Sequence, residues 1–176
     1  MYSWKTHFVE LADYQHWANE VLLSALNHLQ EDVIDSDQGL FFRSIHHTVD
    51  HMLVVSQVWL GRMQGEPVSV NYRMINHPDW RELQLTLRRE ARKLQSWLDA
   101  QPETFFAGDL TFTSGDGKPR QMPVPEVLTH LFTHYAHHRG QISAVITRLR
   151  GPCPEMDFVY YRREREKLLS DMRISG

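Results

Sequence analysis

Residues 4–29, WKTHFVELADYQHWANEVLLSALNHL, carry the pattern that decides the fold. Trp4, Phe8, Leu11, Gln15, Ala18, Leu22, Ala25 and Leu29 recur at alternating spacings of four and three, an apolar stripe broken only by Gln15. Ser3 stands ahead of it as an N-cap. Three further runs keep the same rhythm. Ile45, Val49, Met52, Val55, Trp59 and Met63 form the second, which stops at Gly65-Glu66-Pro67. Trp80, Leu83, Leu87, Ala91, Leu94 and Leu98 form the third, with Pro78 near its start and Pro102 beyond its end. Leu128, Leu131, Tyr135, Ile142, Val145 and Leu149 form the fourth, which begins near Pro125 and is closed by Gly151-Pro152. Four long amphipathic runs at this spacing predict an all-α, four-helix up-down bundle with left-handed packing.

Between the runs lie a polar turn, EDVIDSDQG, and two connections longer than a bundle turn needs. Residues 65–77 read as irregular. Residues 105–123 read as a small β-hairpin before the last bundle helix: Leu110 to Thr113 alternate, Ser-Gly-Asp-Gly turns, and a second extended piece reaches Val124. A short C-terminal helix is expected from Phe158 onward, with the run 162–167 on its solvated face. The 176 residues read as one domain.

Composition narrows the function. Nineteen Lys and Arg against twenty-two Asp and Glu give a formal charge of −3, without the basic excess of a nucleic-acid binder. The single cysteine excludes a disulfide framework, and Cys153 has no neighbour that would activate it. No apolar run reaches a membrane-spanning length, and the start lacks the basic and apolar regions of a signal peptide, so a cytoplasmic protein without a membrane partner is expected. His-Glu-x-x-His, Glu-x-x-His, Gly-rich phosphate loops and Gly-x-Ser-x-Gly are absent.

Eleven histidines remain to be explained. The stripe of the last helix continues through two of them, Leu131, His134, His138, Ile142, so both occupy core positions one turn apart. Buried imidazoles need partners for their nitrogens, and one metal ion would serve both. The second helix offers His46, His47 and His51 as sources of a third ligand. A three-imidazole site leaves coordination positions open, as a catalytic metal requires. His16, His28, His46, His130 and His137 read as surface or hydrogen-bonded histidines.

The stretches LADYQHWANEVLLSAL, SIHHTVDHMLVVSQVWLGR, VLTHLFTHYAHHRGQISAVITRLRG and PEMDFVYYRRE resemble, in order and spacing, the DinB-like (damage-inducible, YfiT-like) family of metal-binding four-helix bundles. THYAHHRGQ, with Arg139-Gly140-Gln141, is the most specific piece. The resemblance implies a triad of one histidine on the second helix and a pair on the last. It assigns these positions to His51, preceded by Asp50 and followed by Trp59-Leu60, and to His134 and His138. It also implies a divalent ion, zinc or nickel, and a homodimer. The activity it implies is thiol chemistry: an S-transferase using a low-molecular-weight thiol on a small-molecule substrate, or a thiol-dependent isomerase. A metal-assisted hydrolase and a non-catalytic metal- or ligand-binding bundle are the alternatives. Gln141, Tyr135 and Asp50 are the candidate polar groups beyond the triad. Since imidazole binds metal only when neutral, affinity is expected to fall below about pH 6.

Overall fold

The computed structural model describes residues 2–153 and 155–174. In chain order the elements are α1 (Trp4–Leu26), α2 (Glu31–Asp35), α3 (Ile45–Gln64), α4 (Trp80–Ala100), α5 (Glu103–Phe106), strands β1 (Asp109–Thr113) and β2 (Pro119–Pro123), α6 (Val124–Arg148) and α7 (Phe158–Ile174). The four predicted runs are α1, α3, α4 and α6. Three start on the residue types that satisfy free helical N–H groups: Ser3 Oγ accepts from Thr6 N, Ser44 Oγ from His47 N, and Asp79 Oδ1 from Glu82 N. Gly65, with φ of 75°, closes α3 in the left-handed conformation that glycine adopts without a Cβ penalty.

Helices α1 and α3 lie at opposite corners, each packed against both α4 and α6. Their shared core holds Phe8, Leu22, Met52, Leu60, Leu87, Leu94, Leu131 and Ile142, all closed to solvent or nearly so. Contacts along the seams give the directions. His51 faces His134 while Trp59 faces His130, so α3 and α6 are antiparallel. Phe8 meets Phe132 and Gln15 meets Arg139, so α1 and α6 are parallel. Arg88 meets Glu20 and Arg92 meets Asp13, so α4 opposes α1. The all-α four-helix bundle is as expected, but its order is up, down, down, up and not the simple up-down alternation the sequence predicts. Residues 65–79 permit it, running back along α3 to deliver Trp80 beside His46.

The hairpin is antiparallel, with Leu110 opposite Met122 and Phe112 opposite Arg120. It is tied to α3 by Arg62, whose guanidinium lies over Trp59 and Phe112 and donates to the Thr113 carbonyl. Two short helices fall where the sequence shows only turns. In α2, Ile34 enters the core; in α5, Phe106 stacks on Phe8 at 6.4 Å and plugs one end of the bundle. The C-terminal helix is longer than expected, 17 residues. Its charged run does not merely face water: Arg162 and Arg165 pair with Glu10, Trp17 donates to Glu164, and Tyr161 donates to Asp13. Trp4, first in the α1 stripe, lies beyond the bundle end and is exposed. No helix of the described residues is long and apolar enough to cross a membrane.

Candidate metal centre

His134 and His138, one turn apart on α6, meet His51 from the first half of α3. His134 Nε2 lies 3.4 Å from His51 Nε2 and 3.3 Å from His138 Nε2. The three form the one cluster of metal-ligating side chains among the described residues whose donor atoms all lie within 4.8 Å of one another. His138 is almost closed to solvent, and the other two are half-buried, so the cluster opens to one side.

The hydrogen bonding fixes what these nitrogens can do. Gln141, one turn on from His138, accepts from His138 Nδ1 through Oε1 at 2.8 Å. That tautomer puts the lone pair of His138 on Nε2, aimed at the other two rings. The Nδ1 atoms of His51 and His134 are buried without a hydrogen-bond partner among the described residues. His134 Nε2 thus sits between the other two Nε2 atoms, and with the Nδ1 atoms of His51 and His134 unpartnered among the described residues, one ion could take up a lone pair from each ring. A tetrahedral ion bonded to nitrogen at about 2.0–2.1 Å sets its ligands about 3.3–3.4 Å apart, which matches the two separations from His134. The all-imidazole donor set fits a divalent transition-metal ion.

Burial is the main cause of weak basicity at the site. It pushes His51 from 6.5 to about 3, helped by His138, His134 and His47, and His134 to about 4, helped by His138, His130 and His137. His138 is lowered as well, again chiefly by burial, with the Gln141 bond acting against it. All three are therefore neutral at pH 7, the state a ligand needs.

The walls come from loops. A tight turn with Gly39 at φ 73° and Arg43 at φ 68° delivers Phe42, which stacks on His51 at a centroid distance of 4.1 Å and 27°. Tyr72, from the long connection, meets His51 edge-on at 6.0 Å. That connection is clasped to α3 by Asp50, which is 1% exposed. Its carboxylate accepts from Asn76 N (2.9 Å), Asn76 Nδ2 (3.3 Å), His77 N (3.0 Å) and His77 Nδ1 (2.6 Å). His46 adds a second tie, with Nε2 donating to the His77 carbonyl at 2.8 Å and Nδ1 facing Asp35 at 2.7 Å.

Of the residues singled out in the sequence, His51, His134 and His138 come together, Gln141 supports them and Asp50 holds the neighbouring loop. Tyr135 is a core residue beside Phe132, with burial pushing its hydroxyl well above the ordinary range. His47 lies next to Phe42 with Nε2 buried and unpartnered among the described residues, outside the cluster. Cys153 is exposed and its thiol contacts Ser143. Phe42, Tyr72 and His77 carried no periodic signal and escaped the sequence reading.

A four-helix bundle with a three-histidine cluster of ligand spacing on its second and last long helices defines the class. The chain belongs to the DinB family, which matches residues 1–168. It is similar to the curated Protein DinB of Bacillus subtilis (strain 168), 21% identical over 160 residues that cover 86% of this chain and 91% of that relative. Family and histidine cluster together fit a metal-binding DinB-like protein.

Proposed function

We propose that the protein is a cytoplasmic, metal-dependent S-transferase. In this reading His51, His134 and His138 hold one zinc or nickel ion, and a low-molecular-weight thiol is transferred to a small electrophile. The observation that supports it most is the convergence of three histidines, with His134 Nε2 3.4 Å from His51 Nε2 and 3.3 Å from His138 Nε2 and all donor atoms within 4.8 Å of one another. When bound, the ion supplies positive charge that lowers the pKa of a thiol placed beside it. The chain does the rest. Gln141 holds the His138 ring in its ligating tautomer. Phe42 covers one face of His51, and the Asp50 clasp keeps Tyr72 at its edge, limiting water around the reacting sulfur. Resemblance within the family supports two chains per molecule, which light scattering would read as twice 20.8 kDa.

Metal analysis of single variants tests the assignment. His51→Ala, His134→Ala and His138→Ala are expected to lose the ion, and His47→Ala to retain it. Full occupancy in His51→Ala with loss in His47→Ala would overturn the choice on α3. A fully loaded protein that joins no thiol to a panel of small electrophiles would leave a non-catalytic metal-binding bundle instead.

A further inference from the structure

We propose that residues 66–77 form the specificity wall of the histidine site, with Tyr72 selecting a thiol whose sulfur carries an apolar, planar substituent. The inference rests on the thiol reading above and adds the chemical class of the thiol.

The wall is part of the site by construction. Its first residues are pressed against α3 at Gly61, where a Cβ would stand 2.5 Å from the Glu66 carbonyl oxygen and 3.0 Å from a Val68 methyl. Its last residues end on the buried Asp50 carboxylate, the immediate neighbour of His51. A chain held at both ends along one helix has little freedom in between, and Tyr72 is the residue it carries to His51. Tyr72 is 39% exposed, so a large part of its ring is left for a ligand.

On the His51 side the surroundings are aromatic. Phe41, 84% exposed, packs edge-on against Phe42 at 4.9 Å; Phe42 stacks on His51; and His51 meets Tyr72. This ladder of rings flanks the ligand nitrogens, and neither Phe42 nor Tyr72 brings a charge to them. Exposed aromatic faces without charged partners favour a planar apolar group, through area and through ring–ring geometry. Apart from the Tyr72 hydroxyl, such a ladder gives a small polar substituent little to bind.

The test uses protein loaded with cobalt(II), whose sulfur-to-metal absorption reports a bound thiol. Benzyl mercaptan and 2-mercaptoethanol are titrated separately, and the ratio of their dissociation constants is compared between variants, which cancels the intrinsic hydrophobicity of the benzyl group. Tyr72→Ser is expected to lower the preference for benzyl mercaptan by about three- to tenfold, the worth of one aromatic contact. Tyr72→Phe is expected to keep it, and cobalt content is expected to be equal in all three proteins. An unchanged ratio in Tyr72→Ser, with both thiols bound, overturns the inference while leaving the thiol reading intact. Loss of the preference in Tyr72→Phe also overturns it, because the hydroxyl and not the ring would then select. A cobalt-loaded protein that shows no sulfur band with either thiol overturns both.

Discussion

His51 is half-buried, and the hydration its ring loses on folding decides how the site answers to pH. An unfolded chain titrates its histidines near 6.5, whereas the folded values of His51 and His134 are about 3 and about 4. Between those limits the unfolded state binds more protons, so folding stability is complete above pH 6.5 and falls as pH drops toward 4. Urea unfolding of the metal-free protein at pH 7, 5.5 and 4.5 is expected to show this slope, and His51→Leu is expected to flatten it. An equal slope in His51→Leu would mean that other groups carry it. Protons also compete with the ion at the folded values rather than at those of free imidazole. Occupancy is therefore expected to persist below the pH of about 6 that isolated histidines suggest, and to be lost nearer pH 4, as metal analysis after dialysis would reveal.

Among elements, the clasped connection is the most exposed to a single change. Asp50→Asn turns an amide toward N–H donors of Asn76 or His77 and removes a charged acceptor, at a cost of about 1.5–3 kcal/mol. The expected outcome is faster limited proteolysis within residues 66–75, with the α-helical signal of the bundle unchanged below the melting transition. Much of this level is legible in the sequence, and the reason is periodicity. A stripe that continues unbroken through His134 and His138 places both in the seam, and the same stripe fixes α1, α3, α4 and α6 to within a few residues. Helices of four or five residues offer too little pattern, which is why α2 and α5 pass for turns. Spacing alone leaves His46, His47 and His51 open as the third candidate; the family resemblance points to His51, and the packing of α3 against α6 brings His51 to the pair. Phe42, Tyr72 and His77 lie on loops, where position follows from tertiary hydrogen bonds that no local spacing encodes.

The whole molecule turns on long-range closures between its ends. Gln15, the one interruption in the first stripe, accepts from Arg139, which is 2% exposed and also lies over Tyr14. Gln15 in turn donates to Asn19 at 3.1 Å. The apparent fault in α1 is the partner of a buried cation on α6. Gln15→Leu, which leaves the buried guanidinium only its bond to the Tyr14 hydroxyl at 3.3 Å, is expected to lower stability by about 1.5–3 kcal/mol. Arg139→Met, which removes the charge with its need, is expected to cost less, and denaturant unfolding of both variants would rank them. His51 and His134 are likewise 83 residues apart. At about 5–20 residues per second, a ribosome needs roughly 4–17 s to travel from one to the other. In that interval the emerging chain has one of the three histidines and no partner helix to complete the set. Any ion that all three imidazoles hold together is therefore captured only after α6 has been made, so its uptake is tied to completion of the chain.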